Sequence, residues 1–231
     1  MNALIDGRIA GVLETLHREA ATADREQFEA MRAAIEASDA SAEQAIADLL
    51  ARERADYRAV YRGHAANFLA VSPACGRFLY MIARARRATR IVEFGTSMGI
   101  STLYLAAALR DNGGGRLIGS ELEGAKAARA RVHLDAAGLG DLVEIREGDA
   151  LDTLRDVGGT VDLLLLDGAF SLYLPVLTLI EPHLAPGAVV LGENAFDAAY
   201  RDHVRNPANG YLSQALPLDE GRGGEFTVRT A

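Results

Sequence analysis

Three acids recur at intervals along the middle of the chain, each at or near the end of a short apolar run. Glu93 lies in Arg90 to Phe94, Glu121 follows Leu117-Ile-Gly-Ser120, and Asp149 follows Val143 to Arg146 by two residues. The first run leads directly into Gly95-Thr-Ser-Met-Gly99. Glycines there let the backbone turn sharply and approach a ligand, and free amides at the start of the next helix suit a carboxylate or phosphate. A carboxylate at Glu121, closing the following run, can accept both hydroxyls of a ribose, and Asp149-Ala150 falls beside the adenine position. A nucleotide-phosphate loop would carry Gly-Lys-Ser/Thr at its end, and a dinucleotide loop would carry glycine at Ser97. The sequence has neither.

The elements that must place these acids follow from periodicity. Runs rich in Val, Ile and Leu at Arg90 to Phe94, Arg116 to Ser120, Val143 to Arg146, Val161 to Leu166 and Ala188 to Leu191 alternate with helical stretches. That alternation predicts a parallel sheet covered on both faces. Tyr211 to Pro217 and Glu225 to Arg229, joined by Leu218 to Gly224, predict a closing antiparallel hairpin. Ser72-Pro73 predicts a capped helix running to about Arg87. Asp111-Asn-Gly-Gly-Gly115 reads as a helix stop and turn.

Residues 2 to about 64 contain no strand-like run. Ile5, Ile9, Val12, Leu13 and Leu16, then Phe28, Met31 and Ile35, have helical spacing. Ser41-Ala-Glu-Gln44 has the pattern of a reciprocal capping box, with Ile46, Leu49, Leu50, Tyr57 and Tyr61 as the inner stripe of the helix it opens. The expected division is a helical cap or lid over residues 1–70 and a ligand-binding α/β domain over 71–231.

With 231 residues, 49% of them hydrophobic, the chain can bury one substantial core. Its net charge of -8 disfavours a nucleic-acid partner, which requires clustered cations, and favours a small molecule. Arg84-Ala-Arg-Arg-Ala-Thr-Arg90 reads as a solvated helix end. Cys75, the single cysteine, cannot form an intrachain disulfide, and together with the lack of a signal-like start or membrane-length apolar run it leads to the expectation of a soluble cytoplasmic protein. A homodimer is left open. The five histidines show no His-x-His or His-Glu-x-x-His spacing.

Ile91-Val-Glu-Phe-Gly-Thr-Ser-Met-Gly-Ile-Ser-Thr102 resembles motif I of the catechol and caffeoyl-CoA O-methyltransferase group within the class I S-adenosylmethionine-dependent methyltransferases. The resemblance extends from about Val71 to the C-terminus, through Ser72-Pro-Ala-Cys-Gly76, Glu121, Glu147-Gly-Asp-Ala-Leu151, Tyr173-Leu-Pro-Val-Leu177 and Gly192-Glu-Asn194. It implies a Rossmann-like, seven-stranded, mostly parallel sheet with helices on both faces and an antiparallel C-terminal hairpin. It also implies S-adenosylmethionine as cofactor, with Glu93 by its methionine portion, Ser101 at its carboxylate and Glu121 at its ribose. The cofactor-contacting set implied in full is Val71, Ser72, Glu93, Gly95, Thr96, Ser97, Gly99, Ser101, Glu121, Asp149, Ala150 and Asp167.

The pattern breaks at the reacting end. Metal-dependent members of that group end the fourth parallel strand on Asp and the fifth on Asp-Asn, with a lysine base shortly after the first Asp. Here Asp167, Glu193 and Asn194 offer the oxygen ligands, and the longer glutamate suits an octahedral Mg2+ poorly. Phe170 stands at the lysine position and cannot take a proton. Asp167, Phe170 and Asn194 are the catalytic candidates, Phe170 through an aromatic face beside a sulfonium. The leading expectation is methyl transfer to an oxygen or nitrogen of a small metabolite. Two alternatives stand beside it: intramolecular cyclisation of S-adenosylmethionine to azetidine-2-carboxylate with loss of methylthioadenosine, and noncatalytic cofactor binding. Tyr57, Tyr61, His64 and Asn67 are candidates for the acceptor side.

Overall fold

The structure, a computed structural model, describes residues 2–27, 29, 30, 33, 41–218 and 223–230. Phe28, Met31 and Ile35 of the expected second helix lie outside the described residues, as do 219–222 of the hairpin loop.

Helix α1 (Gly7–Ala23) starts where the Asp6 carboxylate accepts from Arg8 N, and buries Ile9, Leu13, Leu16 and Ala20 along one face. Ile5 does not join that stripe. It sits on a 3-10 turn before the helix and is 78% exposed. Helix α2 (Ala42–Arg62) is capped by Ser41, whose side chain accepts from Gln44 N. The expected box is only half formed, because the Gln44 amide reaches forward to Asp48 Oδ1 at 2.9 Å instead of back to the cap. Asp56 leaves helical geometry inside α2 (φ -161°, ψ 82°) and its carboxylate accepts from Ala59 N at 2.9 Å. The helix therefore restarts on a second cap and turns Tyr57 and Tyr61 toward the sheet.

Helix α3 (Pro73–Ala85) begins as read, with Ser72 Oγ accepting from Cys75 N, and ends two residues before Arg87. Strand β1 (Arg90–Phe94) has the expected bounds. It leads to α4 (Ile100–Asn112), which is buried all round from Ile100 to Leu109 and ends at left-handed Gly113. A helix apolar on every side has to be covered twice, and the sheet lies on one side of it while α1 and α3 lie on the other. The rest follows as β2 (Arg116–Glu121), α5 (Gly124–Ala137), β3 (Val143–Glu147), a single turn α6 (Ala150–Thr153), β4 (Val161–Leu166), α7 (Tyr173–Ile180), β5 (Leu184–Gly192), α8 (Ala198–Arg205), β6 (Tyr211–Leu216) and β7 (Gly224–Arg229).

The sheet runs β3-β2-β1-β4-β5-β7-β6. β7 is antiparallel to both neighbours and the other pairings are parallel. Strand β5 extends four residues before Ala188, since Val161 at the start of β4 already pairs with Leu184 across an irregular register. One apolar layer joins α1, α3 and α4 to one face of the sheet, and a second joins α7 and α8 to the other. Strand order reverses between β1 and β4, so the helices leaving those neighbouring strands diverge to opposite faces and a crevice opens at the strand ends.

Candidate active site

That crevice encloses about 820 Å³, open mouth included. Its floor is the loop after β1. Gly95 N and Thr96 N both donate to Ser120 O at 3.1 Å, tying the loop to β2. Gly95 has φ +93°, and a Cβ there would lie 2.2 Å from the Asp167 carbonyl oxygen at the end of β4. Only glycine lets these strand ends approach so closely.

Glu121, at the end of β2, is held from two sides. Ser97 N donates to its Oε2 at 2.6 Å and Glu123 N to its Oε1 at 2.8 Å. Burial raises its pKa, opposed by those amides and by the charge of Lys126. Lys126, also buried, is pushed down by desolvation. Ser97 has φ 47°, and its hydroxyl donates to Phe68 O at 2.6 Å. The segment it meets is fixed from below by Asp24, whose carboxylate accepts from Phe68 N at 2.8 Å and Leu69 N at 2.9 Å.

Helix α2 closes the other side. Tyr57 and Arg58 of α2 both donate to Asp149 Oδ2, while Asp149 Oδ1 caps α6 through Leu151 N at 3.0 Å. Burial opposes ionisation of Asp149, yet the Tyr57 hydroxyl, Leu151 N and Arg58 hold its pKa below the usual value. Burial, with the Asp149 contact next, pushes Tyr57 up to about 12. One turn on, Tyr61 Oη donates to Glu53 Oε1 at 3.0 Å and approaches Gly168 O at 3.3 Å. Ser171 N donates to Glu53 Oε2 at 2.8 Å.

Of the residues singled out in the sequence, Val71, Gly95, Thr96, Ser97, Ser101, Glu121, Asp149, Ala150 and Asp167 line this crevice. Ser72, Glu93, Gly99, Phe170 and Asn194 are not among its lining residues. Ser72 spends its hydroxyl on the α3 cap. Gly99, at φ +90°, precedes α4 and faces Ala130. Glu93 lies beneath the loop, accepting from Ser101 Oγ at 2.7 Å, Thr102 Oγ1 at 2.6 Å and Thr96 Oγ1 at 3.0 Å. It thus orients the loop hydroxyls from below. Phe170 packs edge-to-face on Tyr173 and Phe196, with ring centroids 5.8 and 5.2 Å away, so its ring serves an aromatic cluster beside the pocket. Asn194 adopts a left-handed turn with φ 50° before Ala195.

Burial of Glu93 raises its pKa against the pull of the three hydroxyls. A carboxyl with a raised folded pKa contributes most stability below its ordinary value of 4.5, and that contribution is lost as pH rises through the folded value. Glu93→Gln removes this loss. Thermal unfolding from pH 4.5 to 8 should show a smaller decline in Tm for the variant than for the wild type, and parallel curves would contradict the assignment.

Of the oxygen set considered for Mg2+, only one member reaches the crevice. Asp167 faces the crevice, whereas Glu193 is buried with Oε2 3.7 Å from Cys75 Sγ, and Asn194 lies outside the lining. Among the described residues no group of three or more His, Cys, Asp or Glu has metal-holding geometry. With Glu193 buried beside Cys75 and neither Glu193 nor Asn194 on the lining, this set does not present three oxygens to a Mg2+ in the crevice.

Of the acceptor-side candidates, Tyr57 and Tyr61 line the crevice and His64 and Asn67 do not. His64 stacks edge-on to Tyr61, and Asn67 Nδ2 donates to Ala23 O at 3.3 Å. Sequence reasoning missed Glu53, Phe68, Leu69 and Lys126. Glu53 had a readable signal, a carboxylate on the same helical stripe as Leu50, Tyr57 and Tyr61. The other three had none.

Residues 92–195 match the family model described as a methyltransferase domain. A catechol O-methyltransferase from Niastella koreensis is 35% identical over 130 residues, 54% of this chain and 58% of that protein. One from Mycobacterium tuberculosis is 42% identical over 100 residues, 43% and 44% respectively. The chain thus spans about half the length of the curated relatives it matches. The O-methyltransferase TomG from Streptomyces achromogenes, involved in tomaymycin synthesis and solved in complex with S-adenosylmethionine, superposes with a TM-score of 0.63 at 27% identity, covering 84% of this chain and 92% of that one. The fold alone is shared with an O-methyltransferase from Bacillus cereus, at TM-score 0.64 and 22% identity over 87% and 97%. Sheet order and solved neighbours together define the fold of the class I methyltransferases. Within that fold, the matched segment is similar to a methyltransferase domain and to catechol O-methyltransferases. Neither intramolecular cyclisation nor noncatalytic binding gains support from these relatives. No described helix is long and apolar enough to cross a membrane.

Proposed function

We propose that this chain binds S-adenosylmethionine in the crevice and transfers its methyl group to an oxygen or nitrogen of a small, largely apolar metabolite. The observation that carries the reading is Glu121, a buried carboxylate already oriented by Ser97 N and Glu123 N at the edge of the crevice. It is pre-organised to accept from a vicinal diol, so little ordering remains to be done on binding. When bound, the cofactor supplies an electrophilic methyl group on a sulfonium. Gly95 to Ser97 form the floor under its amino-acid portion, with Ser101 aligned by Glu93. Asp149 and Ala150 face the adenine side, and Asp167 stands at the reacting end.

The cap, residues 1–70 in this reading, does two things for the α/β domain of 71–231. It lines the crevice with Tyr57, Tyr61, Phe68 and Leu69, which would shield the reacting end from water once cofactor and acceptor are bound, and it presents an apolar wall to the acceptor. The acidic net charge supports a small-molecule substrate over nucleic acid, and the lone buried cysteine is compatible with a reducing cytoplasm.

Mass spectrometry of purified protein incubated with S-adenosylmethionine, alone and with a panel of catechols, phenols and amines, with and without EDTA, tests the reading. Acceptor-dependent S-adenosylhomocysteine that persists in EDTA is the expected result. Absence of that product across the panel would defeat it, and methylthioadenosine without any acceptor would point to a different reaction.

A further inference from the structure

Methyl transfer to a hydroxyl requires that the oxygen lose its proton as it attacks. Phe170 cannot accept it, and of the oxygen set considered for a metal only Asp167 lines the crevice. The acceptor side nevertheless carries a route for a proton that comes from the cap. Tyr61 lines the crevice beside Asp167, Gly168 and Ala169. Its hydroxyl donates to Glu53 at 3.0 Å, and Glu53 is fully buried, fixed at its other oxygen by Ser171 N, one residue beyond Phe170. A carboxylate enclosed in this way carries a desolvation cost that simple helix docking does not need, since an amide or an apolar residue would dock the helix as well. Its hydrogen-bond path to the crevice runs through one phenol.

We propose that Tyr61 and Glu53 form the proton-accepting pair for the methyl acceptor, with Tyr61 touching the acceptor hydroxyl and Glu53 acting through it. The inference rests on the methyl-transfer reading. The acceptor O–H breaks as its proton forms a new bond to Tyr61 Oη, while the Tyr61 proton passes to Glu53 Oε1. The freed electron pair on the acceptor oxygen forms the O–CH3 bond as the S–CH3 bond breaks, its pair remaining on sulfur. One proton ends on Glu53 and leaves to solvent when the cap opens. Tyr61 is the catalytic residue and Glu53 the positioning residue.

The charged and titratable groups around Glu53 are Tyr61 on its own helix, Asp197 at the start of α8, itself paired with Arg54 at 3.0 Å, and Asp167, which acts on Tyr61. Burial raises the Glu53 pKa and the hydrogen bonds from Ser171 and Tyr61 oppose it. With the base required in its ionised form, the acid limb of the kcat profile should lie above the ordinary carboxyl value and be absent in Glu53→Gln.

The full chain can be tested with 4-nitrocatechol, whose absorption moves to the red on ionisation, bound to the S-adenosylhomocysteine complex, and in parallel with catechol turnover. In the wild type the bound probe should be ionised at a pH where the free probe is not. Tyr61→Phe and Glu53→Gln should each bind it un-ionised, lower kcat for catechol about tenfold or more, and leave the S-adenosylmethionine Kd within about threefold. Undiminished probe ionisation or kcat in Tyr61→Phe overturns the pair and leaves methyl transfer standing. Wild-type ionisation lost in both variants supports the pair as the base for a bound phenol, and if no member of the acceptor panel is methylated in the same preparation it is the methyl-transfer reading that falls. A wild type that does not bind the probe overturns the pair as the acceptor-side base for phenols.

Discussion

Glu121→Ala should raise the Kd for S-adenosylmethionine by about three orders of magnitude. A carboxylate accepting both ribose hydroxyls makes two charge-assisted hydrogen bonds worth about 1.5 to 3 kcal/mol each, and each 1.4 kcal/mol is about tenfold in affinity. Two features place the effect at binding and not at folding. Glu121 is at the crevice, so water can reach Ser97 N and Glu123 N once the carboxylate is gone. Its burial also penalises the charge, which is why its pKa is raised, and removing a penalised charge costs the empty protein little. Calorimetric titration with the cofactor, next to a melting curve, separates the two. An affinity within a few-fold of the wild type would remove the ribose assignment.

Gly95→Ala should cost about 2 to 5 kcal/mol of stability, from left-handed strain of about 1 to 2 kcal/mol and overpacking of about 1 to 3 kcal/mol. The new methyl would meet the Asp167 carbonyl oxygen at 2.2 Å, and that contact is with backbone, which has no rotamer to change. Relief requires β4 to move from β1, against Asp167 N donating to Phe94 O at 2.8 Å and the Phe94–Leu166 pairing next to it. For a chain of this length, each kcal/mol moves Tm by about 2 to 4 °C, so a fall on the order of 10 °C is expected. Cofactor affinity should fall as well, because the same shift displaces Thr96 and Ser97. An unchanged melting temperature would mean that the strand ends are not clamped as described.

Much of the sheet was legible because parallel strands buried on both faces are written as continuous apolar runs. β1 and β4 matched to the residue, and β2, β3 and β7 to within one. β5 was read short because Pro186 and Gly187 interrupt its apolar run, although the strand continues through them. The crevice loop was legible because its glycines and acids answer local demands of geometry and charge. Glu93 was misplaced by one layer: an acid in a motif looks the same from the sequence whether it touches a ligand or the hydroxyls that do. Phe170 and Asn194 depended on tertiary direction, which strand-end position does not specify. Glu53 and Leu69 come to the site from elements far from it in the chain, by way of a helix that restarts at Asp56.

Leu69 shows what that wall demands. A bulky side chain at φ 50° sits in a conformation that disfavours it by about 1 to 2 kcal/mol, and a glycine at the same place would relax the turn without disturbing the bonds from Phe68 N and Leu69 N to Asp24. Conformational ease and surface coverage are therefore opposed at this position, and the chain has coverage. The isobutyl group lines the crevice, so Leu69→Gly should melt higher and leave that wall open, which a melting curve beside turnover of the acceptor panel would check.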